Sequence, residues 1–156
     1  MKYPKVEKKQ ENGGVEPQAQ YAALPWRLGE GLEILLVSSR ETRRWVIPKG
    51  WPMKGRKPHA TAALEALQEA GLLGKIDKAE IGSFHYRKRL KDGDAILCRV
   101  GVFPLRVARQ RKNWPEKSQR ATQWFPYDVA AGQVVEKELE ELILAFGAAV
   151  SKRARA

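Results

Sequence analysis

Cysteine is almost missing from this 156-residue chain, with Cys98 the only one. A single thiol cannot close an internal disulfide, and it excludes CxxC and Cys/His zinc motifs. Cys98 lies in the apolar run Ala95-Ile96-Leu97-Cys98, where a thiol reads as a small buried hydrophobe. Histidine is scarce too: His59 and His85 each lack a second His or Cys nearby, which argues against zinc. No apolar run approaches the roughly 20 residues that span a bilayer. The start, Met1-Lys2-Tyr3-Pro4-Lys5, has no hydrophobic signal region behind it, so the expected compartment is cytoplasmic, with no membrane partner. Gly-x-Ser-x-Gly, the signature of one hydrolase class, is absent. Acid is short relative to base, 18 Asp plus Glu against 29 Lys plus Arg, a formal charge of +11. Such a field draws polyanions but says nothing about fold.

Apolar residues make up 43% of the chain, enough for the core of one domain. Residues 1–18 are polar and read as a flexible arm; 19–156 read as one domain that includes a C-terminal helix. The pattern predicts strands at Tyr21–Trp26, Leu32–Ser38 and Trp45–Ile47, then a long loop from Lys49 to Lys57. Pro58 suits a helix start, and His59 to Ala70 holds five alanines. Gly71 is a natural left-handed stop. Strands are expected at 79–90 and 94–106, turned by Lys91-Asp92-Gly93, followed by a basic loop at 107–117 and a strand at Thr122–Phe125. Leu139, Leu142, Ile143, Phe146 and Val150 then recur at helical spacing, placing a helix over Val135–Lys152. The mixture is α/β without regular βαβ alternation.

Glu65 and Glu69 are four apart on the predicted helix, hence one turn apart on one face. Unpaired, they repel by a few tenths of a kcal/mol; a divalent cation between them reverses the sign. One or two carboxylates plus substrate phosphates are the usual magnesium arrangement. Taken alone, the pair also reads as a solvated helix face. The context favours the site: a glycine-containing loop enters the helix directly after a strand.

Trp45-Val46-Ile47-Pro48-Lys49-Gly50, followed by Leu64-Glu65-Ala66-Leu67-Gln68-Glu69-Ala70-Gly71-Leu72, resembles the Nudix box, G-x5-E-x7-R-E-U-x-E-E-x-G-U with U bulky and apolar. Gly50, Glu65, Glu69, Gly71 and Leu72 fall in register. The flanks, Ile34 to Arg40 leading into Arg44-Trp45 and Trp114-Pro115-Glu116 leading into Gln123-Trp124-Phe125, resemble the diphosphoinositol polyphosphate phosphohydrolase branch. The resemblance covers about residues 20–130 and implies an α/β/α sandwich with a mixed β-sheet. It further implies Mg²⁺, with Mn²⁺ as the alternative, on Glu65 and Glu69, and a catalytic base at the position of Gln68. Three charged positions of the box are replaced, and Ala66 is smaller than its usual U residue. Arg56 replaces its first glutamate, Leu64 its arginine, and Gln68 the first of its paired glutamates. An amide takes no proton from water at neutral pH, though it can orient one. Losing a positioned base commonly removes a factor of roughly 10²–10⁴ in rate. With arginine and glutamate both absent, no buried charge is left without its partner, and Leu64 is expected to point inward. Glu116 is the candidate replacement base.

The basic residues cluster at 40–57, at Arg87-Lys88-Arg89 with Lys91, and at 106–112. The resemblance implies Ser38, Ser39, Arg40, Arg87, Lys88, Arg89 and Arg120 as phosphate contacts; guanidinium forks suit phosphate oxygens. The expected function is hydrolysis of a pyrophosphate bond in a diphosphoinositol polyphosphate, dinucleoside polyphosphate or nucleoside diphosphate derivative. A polyphosphate-binding protein with weak catalysis is the first alternative. A nonspecific nucleic-acid binder is the second, resting on net charge alone.

Overall fold

The computed structural model describes residues 16–155; residues 1–15, most of the expected arm, lie outside the described residues. In chain order the elements are β1 (Gln18–Leu28), β2 (Leu32–Ser38), β3 (Trp45–Val46), β4 (Lys49–Gly50), α1 (Pro58–Ala70), β5 (Leu72–Ile76), β6 (Gly82–Arg89), β7 (Ala95–Gln110), β8 (Thr122–Pro126), α2 (Tyr127–Gln133) and α3 (Lys137–Arg155). All eight strands join one mixed sheet.

Its spine is the parallel pair β1–β7, in register from Gln18↔Cys98 to Trp26↔Arg106. Both long strands change partners part-way along. β1 takes β4 at Tyr21–Ala22 and β2 at Trp26–Leu28; β7 takes β6 along Ala95–Val102 and β5 along Leu105–Gln110. β8 lines the opposite edge of β2, while β3 continues on the β1 edge at Val37–Ser38. The β1 side chains alternate between faces, as the strand period of two requires. Ala23 joins Leu35, Val37, Phe103 and Leu105 under α1. Ala22 and Leu24 join Ile34, Leu36, Val100 and Val102 under α2 and α3. Helices therefore cover both faces, giving an α/β/α sandwich with a mixed sheet.

Helix α1 meets the sheet through Ala62, Ala66 and Ala70, all fully buried and spaced by four. Methyl groups at every contact let the helix lie close to the strands. The residue before each of the last two alanines, Glu65 and Glu69, is thereby turned about 100° to one flank, toward β4. Leu64 and Leu67 turn to the opposite flank and line an apolar groove with Leu72, Leu73 and Ile76. Leu64 does not point into the core as the sequence suggested. It sits half-buried in that groove, in company with Arg56.

Several expected boundaries move. Lys49–Gly50 is a short strand within the expected loop, and residues 107–110, read as loop, continue β7. β5 and α2 were not anticipated, and β6 begins at Gly82 rather than 79. Cys98 is buried and unpaired, and its thiol is pushed up in pKa by burial. Among the described residues no helix is long and apolar enough to cross a membrane.

Gly71 ends α1 with φ +70, its N–H directed at the carbonyls of Ala66 and Leu67. A Cβ there would lie 2.3 Å from the Trp114 ring. Gly71→Ala therefore combines left-handed strain with overpacking. We expect a loss of about 3 kcal/mol in urea denaturation, with a shift in tryptophan emission as Trp114 is displaced.

Candidate functional site

The flank of α1 that carries Glu65 and Glu69 faces Gly50 of β4 and forms the floor of an open pocket of about 550 Å³. Both carboxylates are largely buried, at 5% and 6% exposure. Gly50 is required by proximity: a Cβ there would stand 2.3 Å from the Glu65 carboxyl carbon.

The segment after β7 places a lid over the end of the helix. Its docking follows from the unpaired carbonyls that every helix leaves at its C-terminus. Glu116 N–H donates to Gln68 O (3.0 Å), Trp114 Nε1–H to Glu69 O (3.2 Å), Gln110 Nε2–H to Ala70 O (2.9 Å) and Arg111 N–H to Gly71 O (2.8 Å). These bonds bring Glu116 and Arg120 to the two acids. Arg120 is 10% exposed; its Nε–H donates to Glu116 (2.7 Å) and its Nη1–H to Ser38 O (3.2 Å), while Nη2 lies 3.5 Å from Glu69.

The remaining walls are basic. Arg40 donates to Gln119 Oε1 (3.0 Å). Ser39 pairs with Thr42, and its N–H donates to Arg44 O (2.8 Å), closing the β2–β3 turn with Arg43 at φ 59. Arg87, Lys88 and Arg89 line the pocket from β6. Of the residues that the sequence suggested, Glu65, Gln68, Glu69, Ser39, Arg40, Arg87, Lys88, Arg89, Arg120 and Glu116 border this one pocket. Ser38 does not. Its side chain is buried, and its hydroxyl accepts the Ala121 N–H at 2.9 Å. Arg120 borders the pocket with its guanidinium already engaged by two carboxylates and a carbonyl.

The structure adds residues not singled out from the sequence. Lys49 lies over the Tyr86 ring, 4.9 Å from its centroid, and Tyr86 donates to Gln20 Oε1 (2.6 Å). Arg44 forms an ion pair with Glu136. The signal for Lys49 was its place between Pro48 and Gly50; Gln20 lies outside the expected strand Tyr21–Trp26 and carried no local signal. Trp51 borders the pocket, whereas Trp26 packs on Phe146, ring centroids 5.7 Å apart.

Burial pushes the Glu65 carboxyl up to about 8, with Glu69 and Glu116 acting the same way and Arg120 opposing. Glu69 rises to about 7, again through burial, opposed by Arg120 and Lys49. Burial lowers Lys49, opposed by Glu69 and Glu136. Two adjacent buried acids that resist ionisation are a site that a cation would relieve. Among the described residues no group of three or more His, Cys, Asp or Glu could hold a metal by itself. The two carboxylates, Glu65 and Glu69, fit a hard oxygen-seeking cation.

No protein-family model matches the chain. Nudix hydrolase 4 of Arabidopsis thaliana is 27% identical over 139 residues, which cover 89% of this chain and 59% of that protein. Diphosphoinositol polyphosphate phosphohydrolase 3-alpha of Mus musculus is 31% identical over 112 residues, 70% of this chain and 64% of that one. The chain thus spans under two thirds of the length of these relatives. A crystal structure of the C. elegans Ap4A hydrolase superposes with a TM-score of 0.62 at 17% identity, covering 86% of this chain and 99% of that one.

A carboxyl whose native pKa exceeds its unfolded value stabilises the fold at low pH. That contribution is complete below the unfolded value of 4.5 and is lost as pH rises through about 7 and 8. In chelator-treated protein, the Tm is expected to fall by roughly 5 °C or more between pH 5 and 9. Glu65→Gln should flatten the decline, and Mg²⁺ or Mn²⁺ should reverse it at pH 8. Calorimetric scans across that range provide the check; a flat profile for the metal-free protein refutes the assignment.

Proposed function

This chain belongs to the Nudix superfamily, and on that premise we propose that it is a metal-dependent pyrophosphohydrolase acting on a polyphosphorylated small molecule. The observation that carries the reading is the pair of buried carboxylates, Glu65 and Glu69, at the floor of a pocket whose walls are cationic. Diphosphoinositol polyphosphates, dinucleoside polyphosphates and nucleoside diphosphate derivatives all meet those walls with the same chemistry.

Glu65 and Glu69 would hold Mg²⁺ or Mn²⁺. Such an ion supplies a positive centre that polarises the phosphate bridge and acidifies a coordinated water. The chain itself does the rest. Arg44, Lys49 and the Arg87–Arg89 segment receive the non-bridging oxygens and stabilise the charge that grows on them. Arg120 holds Glu69 and Glu116 in place as their shared counter-ion. Gln68 presents an amide to the pocket, which can orient a water but cannot accept its proton. Glu116 is the carboxylate nearest that role, and its ion pair with Arg120 holds it in the same wall. Turnover well below that of an enzyme with a base at position 68 follows, by roughly 10²–10⁴.

Gln68 also favours a second reading, a protein that binds a polyphosphorylated ligand with little turnover. A screen of polyphosphorylated metabolites with and without Mg²⁺, reading both binding and phosphate release, separates the two. Hydrolysis predicts metal-dependent release and a gain of about tenfold or more in Gln68→Glu. Binding without release in either form supports the second reading. A salt-sensitive affinity for any duplex exceeding that for polyphosphates would replace both with nucleic-acid binding.

A further inference from the structure

The Arg44–Glu136 pair is built unlike an ordinary surface ion pair. Glu136 stands directly before α3, and its carbonyl accepts the Glu140 N–H (3.0 Å). Its side chain is only 10% exposed. It meets Arg44 through one contact, Nη2–Oε2 at 2.8 Å, rather than the two-point fork that guanidinium and carboxylate commonly adopt. Arg44 Nη1 and Glu136 Oε1 are both enclosed with no hydrogen-bond partner in the protein. Enclosed polar atoms left unpaired are destabilising, so stability alone does not explain the arrangement.

Geometry connects this pair to the pocket. Arg44 lines the pocket and Glu136 does not, so the acid lies behind the base. The Arg44 main chain is fixed by Ser39, which donates to Arg44 O and whose hydroxyl accepts the Arg44 N–H (3.3 Å). The side chain therefore depends on Glu136 for its direction. Lys49, the other cation on this wall, also lies within the field of Glu136. One carboxylate at the start of the C-terminal helix thus stands behind two cations of the pocket, outside the segments that resemble the box and its flanks.

We infer that Glu136 is a positioning residue: it aims Arg44 at the phosphate groups of the bound ligand and ties that wall to α3. This rests on the polyphosphate reading of the pocket. Charge and position predict opposite signs when the acid is removed. An anion behind a phosphate site repels the ligand, so its removal by field effect alone tightens binding. Loss of aim weakens it.

The test measures binding of inorganic tripolyphosphate to the metal-free full chain by calorimetry at fixed ionic strength, with a thermal melt for each variant. Glu136→Ala is expected to bind roughly 5–20-fold more weakly. Glu136→Gln, whose amide oxygen still accepts from Nη2, should restore affinity to wild type or above. Glu136→Asp keeps the charge but withdraws it from Nη2, so it should weaken binding, and it serves where the alanine variant melts too low. Arg44→Ala should weaken binding, and Glu136→Ala should add nothing further in that background. Equal or tighter binding by the alanine and aspartate variants, or full additivity with Arg44→Ala, overturns the role of Glu136 alone. Failure of the wild-type chain to bind tripolyphosphate both metal-free and with Mg²⁺ overturns the polyphosphate reading itself, and this inference with it.

Discussion

Two carboxylates held one helical turn apart, both nearly closed off from water, are the constraint to which the rest of the molecule answers. In water such a pair repels weakly; under a low-dielectric wall the repulsion and the desolvation both grow. The chain meets this with cations on three sides. Arg120 reaches Glu69 from the segment before β8, Lys49 stands beside Glu69 on β4, and the pocket rim beyond is basic. Even so, burial dominates both acids. On the proposed reading, a divalent ion between the two acids would offset that burial.

That constraint explains choices some distance away. The alanine face of α1 lets the helix sit close enough for Glu65 to press on Gly50, where even a methyl group would collide. The carbonyls at the end of the helix and at Gly71 accept donors from Gln110 and from the segment that carries Glu116 and Arg120. Ordinary helix-end satisfaction thus doubles as the placement of the counter-ion. Trp114, seated against Gly71, fixes the distance between them.

Much of this was legible in the chain. β2 spans Leu32–Ser38 as its apolar run suggested, and α1 runs from Pro58, the expected start, to Ala70 before Gly71. Those elements carry strong local signals: an apolar run, an alanine-rich stretch, a left-handed glycine. β5 carries none. Leu72-Leu73-Gly74-Lys75-Ile76 is short, contains glycine and exists as a strand because β7 runs on to Gln110 beside it. α2, seven residues starting after a proline and lacking a side-chain cap, is equally dependent on its surroundings. The same division holds in the site. Glu65 and Glu69 announce themselves by spacing, whereas Arg44 and Lys49 stood undistinguished among several basic residues. What sets them apart is Glu136 and Glu69, which arrive from other elements. Ser38 lies off the pocket for a related reason: its hydroxyl accepts the Ala121 N–H, from a segment remote in sequence.

The three charge replacements in the box do not act at one place. Arg56 and Leu64 share the apolar groove on the far flank of α1, away from the pocket. At that position an acid and an arginine would form a pair; here an aliphatic side chain and the stem of an arginine lie together, and no buried charge is stranded. That exchange changes how the flank of α1 is supported and leaves Glu65 and Glu69 where they are. Gln68 alone of the three borders the pocket. Its backbone carbonyl still accepts the Glu116 N–H, so the lid docks whatever the side chain is. The substitution therefore falls on proton transfer and spares both architecture and anion binding. On the proposed reading, turnover and affinity would therefore be separable properties of this molecule.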